Sequence, residues 1–343
     1  MAHEINKTDK FGEVRANGKR AWHGLGIELP EGMTAQEGFE RIGLGWRTIL
    51  APVHATVDVM GADGPSTKVV ELPKHRMHLR ADTMEQLGMV SDEYKPFENQ
   101  DLARFADALV GADATVQMET GGSLYSGKRV FALVKLPKSI EVAKGDILNQ
   151  YILVGNGHGG FAAFSCYPTS VRVVCANTLR WSETDISKGL KFRHTGDTAD
   201  KLKQARYTLG LAMKETERFE AQVKALAAKN LTAAQMVAFM KSCFEENFGK
   251  VDEESKDETQ VRFKEKRDET VGAWLANLEN ERQQIKGIRG TAWAAYNAIS
   301  EWHDHERSHF RDIGQSDARV HSNLFGVSQK AKLKSFKNAL SLV

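Results

Sequence analysis

The chain has 343 residues, of which 41% are hydrophobic and 27% are charged. This composition is ordinary for a folded globular protein and excludes a wholly disordered chain. The formal net charge is only +2, so the protein as a whole has no field that draws it to a polyanion, and any such attraction must be local.

Cysteine usage and the lack of long apolar runs indicate the compartment. The three cysteines, Cys166, Cys175 and Cys243, are an odd number without zinc-ligand spacing, which is typical of reduced thiols. No run approaches the roughly 18 apolar residues that a membrane span needs, and the N-terminal sequence contains no apolar core of a signal peptide. We therefore expect a cytoplasmic protein with no membrane partner.

The first hundred or so residues predict a mixture of helices and strands. Thr34 is placed to cap a helix over residues 35–42, and Asn99 is placed to cap a second helix. Between them, residues 46–59 predict one or two strands and residues 68–79 predict another.

A second group of strands follows. Residues 114–119 and 123–136 predict two strands joined by Gly121-Gly122, because a glycine pair between strands is typical of a hairpin. Lys128 and Arg129 lie near the base of this hairpin, so two cations are placed beside one turn.

The stretch from Tyr151 to Trp181 predicts the centre of the sheet. Three apolar runs, at residues 151–154, 161–164 and 171–175, are rich in β-branched and aromatic residues and predict successive antiparallel strands. The third run contains Arg172. Because a charge buried without a partner is strongly destabilising, Arg172 is either a buried structural ion or a group that binds an anion.

The connector Gly155-Asn156-Gly157-His158-Gly159-Gly160 matches the glycine spacing of a dinucleotide-binding loop. That motif places a pyrophosphate at a helix N-terminus, whereas here a second apolar strand follows. We therefore predict a hairpin loop whose glycines supply positive φ angles. Exposed loop amides that bind an anion are the alternative.

After Trp181 the hydrophobic period becomes helical. Apolar or small residues recur at three-four spacing from Leu202 to Leu226, with only Thr216 off type, which predicts a long amphipathic helix. Further helices are predicted from Leu231, over residues 259–285 and over residues 291–306, followed by a tail over 319–343 with five Lys or Arg and no acid.

Strands grouped first and helices grouped after define an α+β fold. We expect an α+β domain with an antiparallel sheet over residues 1–195. A helical domain with long amphipathic helices and a basic C-terminal tail is expected over residues 196–343.

No catalytic motif stands out. The sequence lacks both Gly-x-Ser-x-Gly and the phosphate-binding Gly-x-x-x-x-Gly-Lys-Ser/Thr pattern. Glu301, His305 and His309 share a helix face, with His303 beside them, which is a geometry that a metal site could use. Solvated or capping histidines are the alternative, so we assign no metal, no cofactor and no catalytic residue.

Positive charge is concentrated locally. Between Arg172 and Lys214, nine Lys or Arg stand against four Asp or Glu. Together with Lys128, Arg129 and the tail, these cations predict one positive surface with aromatic residues nearby, which is how proteins bind single strands without sequence preference. A solvated charged surface is the alternative.

The segments YILVGNGHGG and SVRVVCANTL, with SLYSGKRVFALVKLP before them and GTAWAAYNAISEWHDH after them, resemble the domain of unknown function 932 family, often labelled phage/plasmid-like. The resemblance covers nearly the whole chain. It departs at Gly157-His158-Gly159-Gly160, where members more typically show Ser-His-Asp-Gly. The resemblance implies a mobile-element origin in a bacterial cytoplasm, and in outline the fold is also similar to single-strand annealing recombinases, which assemble as rings or filaments.

We therefore expect a non-enzymatic, homo-oligomeric protein that binds single-stranded DNA in phage or plasmid recombination, replication or establishment. The expected nucleic-acid-binding residues are Arg172, Lys128, Arg129 and Arg180 for phosphates, Tyr125 and Trp181 for stacking on bases, and Asn156 and Asn177 for hydrogen bonds. One alternative is a nucleotide- or nucleic-acid-processing enzyme that uses the Gly155–Gly160 loop and Glu301, His303 and His305. Another is a protein that binds a host factor through its long helices.

Overall fold

The computed structural model of the protein describes residues 11–16, 19–20, 27–62, 64–112, 116–172, 178–179, 198–307 and 315–343. Three of the residues predicted to bind nucleic acid, Asn177, Arg180 and Trp181, lie outside these ranges, and so does His309.

Within these ranges, nine strands form one sheet. They are β1 (Phe11–Ala16), β2 (Lys19–Arg20), β3 (Ile27–Leu29), β7 (Gln117–Leu124), β8 (Arg129–Lys135), β9 (Ile140–Ala143), β10 (Asp146–Gly157), β11 (Ser165–Arg172) and β12 (Thr178–Leu179). The strand order is β12-β11-β10-β8-β7-β1-β2, with β3 added to β1 and β9 added to β10. The β1–β3 pair is parallel, whereas the central pairs β7–β8, β8–β10 and β10–β11 are antiparallel, as predicted.

A second sheet has the strands β4 (Thr48–Gly61), β5 (Gly64–Arg80) and β6 (Gln86–Ser91), in that order. β4 and β5 are the two sides of one long hairpin, and β6 pairs with β5 only over His75–Leu79. The strands predicted at residues 46–59 and 68–79 therefore belong to a single hairpin.

The described helices are α1 (Ala35–Arg41), α2 (Asn99–Ala112), α3 (Thr198–Ala228), α4 (Ala233–Phe248), α5 (Glu258–Leu278), α6 (Ala292–Glu301), α7 (Gln315–Leu324) and α8 (Val327–Leu340). A π-helical turn, Trp302–Glu306, extends α6. The α+β class, with strands first and helices after, is confirmed. Among the helices described, none combines the length and the apolar character of a membrane span.

Two of the helix starts follow from side-chain caps. Thr34 and Thr232 each accept the amide of the third helical residue, and the Glu or Gln at that position bonds back to the cap in a capping box. The predicted cap at Asn99 is wrong. Its side chain is fully buried and donates to the carbonyl oxygen of Leu44 at 3.0 Å instead of capping the helix.

The large sheet is covered on both faces. Val130, Ala132 and Val134 of β8 pack under α1, α2 and the start of α3, whereas Phe131 and Leu133 face the other way, toward α7. This is the alternation expected of a strand. A third cluster joins Ile140 and Leu148 of the sheet to α3, α4, α5, α6 and α8, so each cluster draws on both halves of the chain.

The long helix α3 carries the predicted apolar stripe. Its residues Ala205, Leu209, Ala212, Phe219, Val223 and Leu226 are all buried. Thr216, the one position off type, is also buried, and its hydroxyl donates to the carbonyl oxygen of Ala212 at 2.9 Å. The stripe is therefore used for packing inside the molecule.

The predicted turn at Gly121-Gly122 is wrong. Both glycines lie within β7, where they pair with Ala132 and Phe131, and the turn to β8 follows at residues 125–128.

The strand predicted at residues 161–164 is also wrong. The run at residues 161–164 is a loop, and β11 begins at Ser165 and passes through Pro168 without a break. β12 pairs only with Ser170 and Val171, so at Pro168 the outer edge of β11 pairs with no described strand. A proline is tolerated at such an edge because no ladder hydrogen bond needs its missing N–H.

The C-terminal segment with five Lys or Arg is helical rather than an extended tail. α8 packs against the helical cluster, and the Lys332 ammonium is fully buried and forms an ion pair with Asp304 at 2.6 Å. Lys334 donates to the carbonyl oxygen of Glu246 at 3.2 Å. At least two of these cations therefore serve the fold.

Candidate nucleic-acid interface

The turn between β7 and β8 has an unusual backbone. Tyr125, Ser126 and Gly127 have φ angles of 55°, 57° and 97°. A left-handed conformation costs an L-residue about 1–2 kcal/mol, so two non-glycine residues in succession store local strain. Such strain is concentrated at functional sites, and it persists only where the surroundings hold the turn in place.

The contacts that hold this turn come from Trp46, just before β4, and from Arg80 at the end of β5. A Cβ at Gly127 would lie 2.8 Å from Cζ2 of Trp46, so the turn rests directly on the indole. The guanidinium of Arg80 lies 4.6 Å from the centre of the same ring and donates to the carbonyl oxygen of Ser126 at 3.3 Å. Arg80 is in turn paired with Asp82.

Three rings meet beside the turn and are called here the aromatic platform: Tyr125, Phe161 and His321. The Tyr125 ring lies 5.3 Å from Phe161 and 5.6 Å from His321, and the last two rings are 5.6 Å apart. Phe161 is 41% exposed, and the other two are partly exposed. The rings meet at tilted or edge-to-face angles, and their exposed faces are surfaces on which further planar groups can stack.

Two cations lie next to the platform. Lys128 is partly exposed at the end of the turn, and Arg129 follows it, buried at the start of β8. The Arg129 guanidinium lies 3.9 Å from the centre of the Phe325 ring and donates to Oγ of Ser165 at 2.8 Å.

Arg129 has no carboxylate partner in the described part of the chain, and its Nε has no hydrogen-bond acceptor there. Burial lowers the pKa of Arg129 to about 10, so the group still carries its charge at neutral pH. A buried cation without a counter-ion is unfavourable, and it favours binding of an anion nearby.

Arg172 lies on the opposite face of the sheet from Arg129. Tyr167 and Val171 of β11 face the same side of the sheet as Phe131 and Arg129 of β8. Arg172 follows Val171 directly in the strand and therefore faces the other side. It is fully buried, where its Nε donates to Asp146 and its two Nη atoms donate to Oε1 of Gln283 and to the carbonyl oxygen of Arg282.

Of the two readings left open for Arg172, the geometry corresponds to the buried structural ion. Asn156 is also turned away from the platform. It is buried and donates to the carbonyl oxygen of Phe97 at 2.8 Å. The structure thus brings Tyr125, Lys128 and Arg129 together and keeps Arg172 and Asn156 apart from them.

The Gly-rich connector is only partly the predicted hairpin loop, because Gly155, Asn156 and Gly157 belong to β10 and the loop begins at His158. Gly159 and Gly160 have φ angles of 62° and 77°, and no helix follows. A Cβ at Gly159 would overlap the carbonyl group of Leu87, so this glycine also allows β6 to approach. The amides of His158, Gly159 and Phe161 donate hydrogen bonds within the protein. These three amides are therefore not free to bind an anion, as the alternative interpretation of the loop would require.

Sequence reasoning missed a buried polar cluster under this loop. The His78 and His158 rings lie 5.6 Å apart, and Trp46 lies 5.1 Å from His158. His158 Nε2 bonds Oδ1 of Asn99 at 2.8 Å, and the Gly159 amide donates to Nδ1 of His78 at 2.9 Å. These residues come from four distant segments, so no local pattern could have indicated their meeting.

The histidines of this cluster are neutral. Burial lowers the pKa of His78 to about 4, and burial followed by the charges of His78 and Arg80 lowers the pKa of His158 to about 3. His78 Nδ1 accepts a hydrogen bond, so its proton is on Nε2, and that ring offers no lone pair to a metal.

The histidines of the π-helical turn do not form a metal centre with the described residues around them. Glu301 accepts hydrogen bonds from Arg282 at 2.8 Å and Gln283 at 3.0 Å. His303 is buried against Trp302. Across the residues described, no three His, Cys, Asp or Glu side chains are grouped so that they could hold a metal ion.

Comparisons with known proteins bear on the family alone. No curated protein and no solved structure matches the chain. The family model described as Domain of unknown function (DUF932) matches residues 86–325, which confirms the resemblance seen in the strand segments and covers more than half of the chain. The protein therefore belongs to this family.

Proposed function

We propose that the protein binds single-stranded nucleic acid, with DNA as the expected ligand, on the aromatic platform and the adjoining Lys128 and Arg129. The observation that carries the proposal is Arg129, a buried cation without a carboxylate partner in the described residues, placed beside partly exposed aromatic rings. Its cellular role in phage or plasmid recombination, replication or establishment rests on the family resemblance and is part of the proposal.

The chemistry of a single strand fits these groups. Unpaired bases present flat faces that stack on aromatic side chains, and each such contact contributes about 1–3 kcal/mol. Phosphates bind cations and release counter-ions, which makes binding depend on salt. The net charge of the whole chain is only +2, so this local cluster supplies an attraction that the overall charge does not.

The enzyme alternative has less support. A general base works best when its pKa lies near the working pH, whereas the pKa of His158 is lowered to about 3, chiefly by burial. Glu301, the acid of the other candidate group, is engaged by Arg282 and Gln283.

The host-factor alternative also loses the feature that motivated it. The stripe of α3 from Ala205 to Leu226 is buried against the sheet and the other helices. A helix that binds a partner through an apolar face needs that face exposed.

The test is fluorescence anisotropy of a labelled oligothymidine with the full chain, at about 50 mM and about 200 mM salt. Phe161→Ala removes one stacking face, and we expect the Kd to rise between about fivefold and about a hundredfold. Lys128→Gln removes one phosphate contact and lowers the salt slope by about 0.7.

The matched control is Lys68→Gln, which removes an equally ordinary exposed cation from β5. It should leave both the Kd and the salt slope unchanged. Absent binding, binding that does not depend on salt, or equal losses in the Lys128 and Lys68 variants would overturn the proposal.

A further inference from the structure

β4 and β5 extend past the third strand of their sheet as a two-stranded arm, residues 54–61 and 64–71. β6 pairs with β5 only over His75–Leu79, and no other described strand pairs with either edge of the arm. Its side chains are largely exposed, including Met60 at 81% and Val69 at 69%. An isolated hairpin of this kind is marginally stable in water, and it gains stability when a further strand is added.

The two edges of the arm differ in how they are protected. Natural proteins protect exposed edges with charges, especially Lys, and with prolines. β5 carries Lys68, Glu71 and Lys74, with Pro65 and Pro73 near the ends of this part of the strand. β4 has no lysine and no arginine along its whole length, and its one proline, Pro52, lies just before the arm. The β4 edge is therefore the one left open to another strand.

We propose that the β4 edge pairs antiparallel with the β4 edge of a second copy of this chain, about a two-fold axis at Thr56. A two-fold axis that relates two edge strands of one continuous sheet is perpendicular to that sheet. Each residue is then opposed by the residue equally far on the other side of Thr56, and opposed side chains share a face.

The sequence of β4 is complementary to itself in this register. His54 opposes Asp58 of the second copy, Asp58 opposes its His54, and Ala55 opposes Val57 in both directions. The pairing thus joins an imidazole to a carboxylate twice and an apolar residue to an apolar residue twice, which are favourable cross-strand pairs.

The β5 edge has no such match. Its opposite charges, Lys68 and Glu71, are three residues apart and so point to opposite faces of the arm. A two-fold pairing opposes only residues of the same face, so these two can never meet. The complementarity of His54 and Asp58 as hydrogen-bonding partners therefore selects β4, and the product is a four-stranded ribbon that removes the open edge.

The first test exchanges the charged positions. In His54→Asp, the new carboxylate of each copy lies opposite Asp58 of the other, so two pairs of carboxylates face each other. We expect the dimer Kd, measured by sedimentation velocity of the full chain, to rise about tenfold. The double variant His54→Asp with Asp58→His re-creates both pairs with the residues exchanged and should restore the Kd. The double variant keeps the same new neighbour for Glu71 within the arm and also loses the hydrogen bond that Thr67 donates to Asp58 at 2.8 Å, so neither change inside one chain accounts for recovery.

The second test uses cross-linking. The two-fold axis brings the two Thr56 side chains face to face, so Thr56→Cys should give a disulfide-linked dimer on mild oxidation. Lys68→Cys is the control, because two β5 strands in the ribbon are separated by both β4 strands, roughly 14 Å, beyond the reach of a disulfide. The unsubstituted protein measures the background from its own cysteines.

A monomer at tens of micromolar would overturn the proposal. So would a dimer whose Kd is unchanged by His54→Asp, a double variant that stays as weak as the single one, or equal cross-linking from positions 56 and 68. The proposal concerns a surface separate from the aromatic platform, so anisotropy with oligothymidine can fail while the dimer is found.

Discussion

Removing the Asp146 carboxylate tests whether Arg172 is a structural ion. Asp146 accepts from Arg172 Nε and, at 2.8 Å, from Nε1 of Trp293, and all three residues are buried. Asp146→Ala leaves the guanidinium buried without its counter-charge, which costs about 3–5 kcal/mol. The unsatisfied indole N–H adds about 1–3 kcal/mol. The sum is a large fraction of the roughly 5–15 kcal/mol that stabilises a typical domain.

The assay is urea unfolding followed by circular dichroism. A loss of at least about 4 kcal/mol is expected for Asp146→Ala, while Asp146→Leu combined with Arg172→Met should be much less destabilised, because a buried pair replaced by apolar groups is often tolerated. The reasoning is refuted if Asp146→Ala costs less than about 1 kcal/mol, since the charge of Arg172 would then need no partner.

Two further predictions concern the polar cluster and the Gly-rich loop. Because burial holds the pKa of His78 at about 4 and that of His158 at about 3, the unfolded chain takes up protons first. The contribution of these two histidines to the free energy of unfolding is fully present above about pH 6.5. It falls as the pH drops toward 4, by up to about 1.4 kcal/mol per pH unit for each histidine. Urea unfolding between about pH 7 and pH 5 measures this slope, and an unchanged slope in His158→Gln would contradict the assignment. In the loop, Gly160→Ala should cost about 1–2 kcal/mol for its left-handed backbone, whereas Gly159→Ala also collides with Leu87 and should cost about 3 kcal/mol or more. Equal melting temperatures for the two variants would contradict the close approach of β6.

Local patterns predict many elements of this fold, although not the position of the β7–β8 turn, the loop at residues 161–164 or the start of α2. The three-four spacing of α3 predicts the residues that are buried, and Thr34 and Thr232 cap helices because their side chains act within one turn. Alternation along β8 likewise follows from the pleat of a strand. These features depend only on residues close together in sequence, so the sequence alone is enough to predict them.

Long-range relations could not be predicted in the same way. Whether Arg172 and Arg129 share a face depends on the register of β8, β10 and β11, and a shift of one residue reverses the answer. The meeting of His78 with His158 depends on how the second sheet docks on the Gly-rich loop. The loop that replaced the expected strand at residues 161–164 brings Phe161 to Tyr125, which no periodicity indicated.

Photo-cross-linking of an iodouracil-substituted single strand to the full chain, with the linked peptides identified by mass spectrometry, tests the nucleic-acid site most directly. Stacking of bases on the aromatic platform predicts that the cross-links fall at Tyr125 and Phe161 and that Phe161→Ala removes the second of them. Cross-links confined to other regions would contradict a binding site at the β7–β8 turn. So would cross-links in the Phe161→Ala and Lys128→Gln variants that are as strong as those in the unsubstituted protein.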